Sequence, residues 1–120
     1  DDDSAATATA AIDSALALGK DMIRIDNLGL TRVPAHALRR LHGAVLLHAD
    51  NNALRTLPAA ALAHLTNLQH ASLNVNRLER LPDTFGALTA LQMLYLNTNN
   101  LAALPPTFTR LTRLEWLNIG

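Results

Sequence analysis

Leucine and other apolar residues alternate with polar ones over short runs, recur at wider spacing, and then the whole pattern repeats. The clearest copy reads Leu91-x-x-Leu94-x-Leu96-x-x-Asn99-x-Leu101-x-x-Leu104-Pro105 and continues to Phe108 and Leu111. The copy before it supplies Leu68, Ala71, Leu73, Asn76, Leu78, Leu81, Pro82, Phe85 and Leu88. The one before that supplies Ala44, Leu47, Ala49, Asn52, Leu54, Leu57, Pro58, Leu62 and Leu65. A degenerate copy opens at Lys20 and a partial one at Leu114, so successive starts lie 24, 24, 23 and 23 residues apart. So regular a period marks a stacked solenoid, because one unit cannot bury its own apolar face and neighbours must share a core.

The spacing predicts an α/β chain with parallel strands on one side and short helical returns on the other. Residues 1–19 form an N-terminal capping helix, 20–43 an opening repeat, 44–67, 68–90 and 91–113 full repeats, and 114–120 a partial one. In the opening repeat Lys20 takes a leucine slot and Leu28 the asparagine slot, while Ile23, Ile25, Leu30, Val33, Pro34, Leu38 and Leu41 fit. Each x-Leu-x-Leu run gives a short strand with leucines inward and intervening residues outward. Asn52, Asn76 and Asn99 fall where the backbone turns, and a buried amide there can bond otherwise orphaned main-chain groups. The pairs Leu57-Pro58, Leu81-Pro82 and Leu104-Pro105 end the extended part, since proline gives no ladder donor and starts a helical turn well. The returns are then short helical or 3-10 segments, with Leu62, Phe85 and Phe108 beneath them.

At the N-terminus, Asp1, Asp2, Asp3 and Ser4 suit the positive end of a helix over about residues 5–18, with Ser4 as the cap. Ala8, Ile12, Ala15 and Leu16 share one side of it and Gly19 is a natural stop. Covering the open end of the first repeat is its expected role; a secretion or partner-binding helix is the alternative. The stretch lacks the basic and long apolar segments of a secretory signal.

The outward strand positions form columns on the concave face. One is Met22, Leu46, His70, Met93 and Trp116; the other is Arg24, His48, Ser72, Tyr95 and Asn118. Strands lie about 4.8 Å apart, so Met93, Tyr95 and Trp116 fall in one patch, and Trp and Tyr dominate interface energies. These ten residues are the candidate partner-binding site. Scattered exposed apolar residues, or further repeats covering Trp116, would explain the same columns without a partner. A third column, Asp26, Asp50, Asn74 and Asn97, has Asn27, Asn51, Val75 and Thr98 beside it. Its two carboxylates could hold a cation or meet basic groups, although such a column usually serves as a hydrogen-bonded edge. His48 and His70 fall diagonally on adjacent strands with no third ligand of their kind, whereas zinc needs three or four. His36, His42 and His64 fall on convex returns. Ser72, His48 and Asp50 are close enough to suggest a nucleophilic relay, but nothing in the pattern buries or orients them. No catalytic residue, metal or cofactor is expected.

The 120 residues allow one domain, and hydrophobic residues make up 49% while aromatics make up 3%, so leucine stacking fills the core. Zero formal net charge gives no global attraction to nucleic acid or anionic lipid. Absence of cysteine points to a reducing compartment, and no apolar run approaches the roughly 20 residues that span a bilayer. Lys20 is the sole lysine against nine arginines, and alanine is abundant, which suggests a GC-rich bacterial genome. Methionine occurs only at Met22 and Met93, and Gly120 follows shortly after Leu114 opens a repeat, so the chain reads as part of a longer protein.

The run from Leu81 to Asn99, Leu-Pro-x-x-Phe-Gly-x-Leu-Thr-x-Leu-x-x-Leu-x-Leu-x-x-Asn, resembles the leucine-rich repeats of bacterial proteins and of intracellular Ras-binding scaffolds. The resemblance covers about residues 20–120 and implies a short horseshoe arc whose concave strands bind other proteins. Together with the bacterial composition and the N-terminal helix, it is similar to the repeat domains of type III effectors of plant pathogens, several of which carry a ubiquitin-ligase domain. What this implies is a partner protein, a host protein among the candidates, and a place in the cytoplasm or, after type III secretion, in host cytosol. Any ligase or kinase activity would lie outside this chain, and an alternative role is packing on such a domain.

Overall fold

In each repeat the inward residues collapse into a common core, which forces the flanking backbone into an extended strand three residues long. The computed structural model describes residues 3–19 and 21–119. The expected contributions of Asp1 and Asp2 to helix capping, of Lys20 to a leucine slot, and the position of Gly120 lie outside the described residues. Strands β1 (Met22–Arg24), β2 (Leu46–His48), β3 (His70–Ser72), β4 (Met93–Tyr95) and β5 (Trp116–Asn118) form one parallel sheet in sequence order. Their central residues Ile23, Leu47, Ala71 and Leu94 are buried and stack in register with Leu117. Parallel neighbours require a crossover, and every return segment supplies one on the opposite side of the core.

The returns split into two kinds, and repeat length decides which. In the two 24-residue repeats they are α-helical, α2 (Ala35–Arg39) and α3 (Ala59–Leu62); in the two 23-residue repeats they are 3-10 segments, Asp83–Ala87 and Pro106–Arg110. A 3-10 turn uses fewer residues than an α turn, so it absorbs the missing residue. Composition agrees, because the α segments are rich in alanine while the 3-10 segments carry Thr, Gly and Pro, weaker helix formers. Each of Pro34, Pro58, Pro82 and Pro105 sits one residue before its segment with an extended backbone. Their carbonyls accept the first turn bonds, from Leu38, Leu62, Phe85 and Phe108. Beneath the returns Phe85 stacks on Phe108 with ring centroids 5.6 Å apart.

Two ladders of amide and carboxylate side chains hold the turns together. The Asn76 side-chain nitrogen donates to Ala49 O at 3.0 Å and Leu73 O at 3.1 Å, while its oxygen accepts Leu54 N–H at 3.1 Å. Asn52 and Asn99 repeat the arrangement one turn either side. Where Leu28 replaces asparagine, its N–H donates to Asn52 Oδ1 at 3.1 Å. The second ladder is Asp26, Asp50, Asn74 and Asn97: the side-chain oxygen of each of the first three accepts the backbone N–H of the next, at 2.7, 2.8 and 2.7 Å. The hydrogen-bonded edge expected there is present.

Immediately after this ladder the chain turns through positive φ at Asn27 and Asn51 (57°), Val75 (57°) and Thr98 (59°). Asparagine tolerates that region, whereas a β-branched residue is strained in it. Val75 is also 43% exposed, so its side chain recovers little by burial. Val75→Asn should therefore stabilise the fold by about 1 kcal/mol, read as a higher midpoint in urea denaturation.

Helix α1 (Ser4–Ala17) covers the first repeat with Ala8 and Ile12 fully buried and Ala15 and Leu16 partly so. Ser4 does not cap it. The helix starts one residue earlier than expected, with Asp3 at the N-cap and no side-chain capping bond. Ser4 is buried, and its Oγ accepts Thr31 N–H at 2.8 Å and lies 3.1 Å from Thr31 Oγ1. A hydroxyl facing the repeat gains a partner there that solvent-facing capping would not give, so it fastens the helix instead. An Arg40–Asp13 ion pair, both side chains half exposed, adds a surface contact between helix and repeat.

Candidate docking face

The strand register assembles both outward columns. Met22, Leu46, His70, Met93 and Trp116 are successive partners across the sheet, as are Arg24, His48, Ser72, Tyr95 and Asn118. In the first column Met22 is 48%, Met93 38% and Trp116 53% exposed. Leu46 and His70 are half-buried between them. Met22, Leu46, His70 and Met93 wall a shallow cavity of about 340 Å³ whose edge carries Asp21, Val45, Gln69 and Gln92. These edge residues sit one position before the column, and the outward column alone does not reveal them as part of the cavity.

A diagonal chain of rings crosses the face. The His48 and His70 centroids are 5.2 Å apart, and His70 and Tyr95 5.4 Å, both pairs tilted. Arg24 Nη1 donates to His48 Nδ1 at 3.4 Å. The His70 pKa lies below the ordinary imidazole value, through burial first, then through His48 and Arg24, with Asp50 opposing. Burial and the neighbouring His48 and Arg24 therefore disfavour a charge on His70 at the middle of the face.

Ser72 differs from its column. It is 4% exposed, and its Oγ donates to Asp50 Oδ1 at 2.7 Å. That commits the hydroxyl proton to a carboxylate and bypasses His48, so Ser72 and Asp50 form a clamp between neighbouring turns rather than part of a nucleophile–base relay. The same carboxylate oxygen accepts Asn74 N–H.

Ligand atoms of Asp26, His48 and Asp50 lie within 4.8 Å of one another. The two carboxylates of the third column thus fall beside His48 rather than beside a pair of histidines. One oxygen of each carboxylate is taken up by the ladder, and Arg24 presents a fixed positive charge beside His48. Those contacts explain the cluster without a cation. His36, His42 and His64 are exposed on the convex side.

Among the described residues no helix is long and apolar enough to cross a membrane. No protein-family model and no curated protein matches the sequence. Solved structures do. The crystal structure of the leucine-rich-repeat domain of APL1B superposes with a TM-score of 0.79 at 25% identity, covering 91% of this chain and 33% of that one. A leucine-rich-repeat protein of Leptospira interrogans gives 0.60 at 26% identity, covering 88% and 33%. This chain therefore spans about a third of the length of each of these two. By the register of its strands and by these likenesses, the chain is a leucine-rich-repeat solenoid.

Proposed function

We propose that the chain is a protein-recognition module that holds a partner protein against its concave strands. The observation that carries the reading is the register-locked column of Met22, Leu46, His70, Met93 and Trp116, which leaves a contiguous apolar and aromatic strip in solvent. Such strips are costly unless something covers them, and a sheet surface has no side chains of its own to do so. Tyr95 and Arg24 flank the strip, while His48 and Asn118 complete its second column. Ser72 contributes by bracing Asp50 from below.

The module belongs, in this reading, to a larger bacterial effector, with the partner a host protein and any ubiquitin-ligase or kinase activity in another domain. The bacterial repeat protein among the structural neighbours supports that setting, as do the arginine-rich composition and the resemblance of the repeats. A second reading is favoured at one end: Trp116, Leu117 and Ile119 are exposed together around β5, as expected of a segment packed on another domain of the same protein. In that case the face would be shielded from labelling in the full-length protein without any partner.

Changing Met93, Tyr95 and Trp116 together to alanine is expected to weaken partner binding roughly 100-fold or more, since buried aromatic anchors are each worth about 2 kcal/mol. The fold should persist, because none of the three side chains is in the core. Affinity measured on the purified partner decides; unchanged binding by a folded triple variant would move the site elsewhere.

A further inference from the structure

Charge is distributed unevenly over this chain of zero net charge. On and beside the concave sheet stand Asp21 and Glu115 where the strands begin, and Asp26 and Asp50 where they end. Against these four carboxylates there is one guanidinium, Arg24, already directed at His48. With neutral imidazoles the face carries a net charge of −3. The rest of the described surface has Arg32, Arg39, Arg40, Arg55, Arg77, Arg80, Arg110 and Arg113 against Asp3, Asp13, Glu79 and Asp83, a net charge of +4. The two values sum to +1, which matches nine described bases and eight described acids.

Resting on the proposed recognition role, we infer that the occupant of the concave face is a basic, extended segment of the partner, lysine- or arginine-bearing, with apolar side chains between its charges. Its apolar side chains fill the cavity walled by Met22, Leu46 and Met93, and its cations meet the carboxylates along both edges. The edge carboxylates remain able to do this: Asp21 and Glu115 are exposed, and Asp26 and Asp50 are half-buried with only one oxygen each in the ladder. Exposed Trp116, next to Glu115, offers a ring face to a cation, an arrangement that strengthens attraction beyond charge alone. His70, at the centre of the ring chain with His48 and Tyr95, resists protonation because it is half-buried and so adds little repelling charge to the path. An acidic segment would meet four like charges with one guanidinium to offset them, and opposed like charges discriminate strongly against such partners.

Fluorescent peptides of about eight residues, long enough when extended to cross five strands at about 4.8 Å, provide the probes. Three share the same leucines and differ only in carrying lysine, glutamate or serine between them. Against the intact protein at about 0.05 M salt, the lysine peptide should bind at least tenfold tighter than the glutamate peptide, and about 0.5 M salt should erase most of the difference. A variant with Asp21→Asn, Asp26→Asn, Asp50→Asn and Glu115→Gln should lose the preference. Its fold is protected because the Asn74 side-chain oxygen already accepts the next backbone N–H as those of Asp26 and Asp50 do. Equal or tighter binding of the glutamate peptide, a lysine preference that survives neutralisation, or no binding of any probe would each overturn the basic-segment inference. The double variant Met93→Ala, Trp116→Ala separates the two ideas. If it weakens whichever peptide binds, the concave face is the site whatever its charge preference; if it changes nothing, the recognition reading fails too.

Discussion

Asn76→Leu is expected to destabilise the fold by about 3 kcal/mol or more, the largest effect of any single polar substitution in the chain. The side chain is buried, and its removal leaves Leu54 N–H without an acceptor and takes a donor from the carbonyls of Ala49 and Leu73. Each buried polar group left unpaired costs about 1–3 kcal/mol, and leucine's added apolar area cannot offset several at once in a site shaped for an amide. Because the Asn76 side chain bonds the preceding turn as well as its own, the loss also uncouples two neighbouring repeats whose stability depends on each other. Asn100→Leu, one turn further and exposed, should change stability by less than about 0.5 kcal/mol. Urea denaturation of the two variants gives the comparison, and similar midpoints would remove the asparagine ladder from its structural role.

Gly86→Ala ranks second. A Cβ at Gly86 would stand 2.6 Å from Thr107 Cβ and 2.8 Å from Thr107 O in the next turn. Backbone and a branched carbon cannot swing aside, so the two 3-10 returns must separate. Their separation would break the Thr107 Oγ1–H bond to Asp83 O, now 2.7 Å, and loosen the Phe85–Phe108 stack. Overpacking of this kind costs about 1–3 kcal/mol. Gly43→Ala, where an added Cβ meets nothing within 4 Å, should be close to neutral. A thermal melt in which both alanine variants behave alike would mean that the repeats can shift apart freely.

The framework was legible because two periods coincide in this sequence. Alternation within Leu94-x-Leu96 sets which side chains face inward, and a repeat of 23 or 24 residues sets which of them are neighbours. Together they give every strand pair found, including Met93 beside Trp116. Details that depend on a single neighbour were not legible. Ser72 occupies an outward slot, yet Asp50 one strand away captures its hydroxyl and draws it under the surface. Ser4 looked like a cap by composition and is a tether, because Thr31, 27 residues away, lies opposite it. The positive-φ column was hidden because Val75 and Thr98 are not residues that announce such a backbone. The division into α and 3-10 returns was present in the repeat lengths, and a signal in the count of residues per turn would have found it.

The chain contains no cysteine, so single cysteines placed along β4 and the residue after it read the facing of each side chain directly. Met93→Cys and Tyr95→Cys should react with a thiol reagent at rates near those of an unfolded peptide. Leu94→Cys and Leu96→Cys should react only as fast as the protein opens, slower by roughly a hundredfold or more. That order places methionine and tyrosine on a free concave face with leucine beneath; the opposite order would contradict the register and remove the docking surface with it.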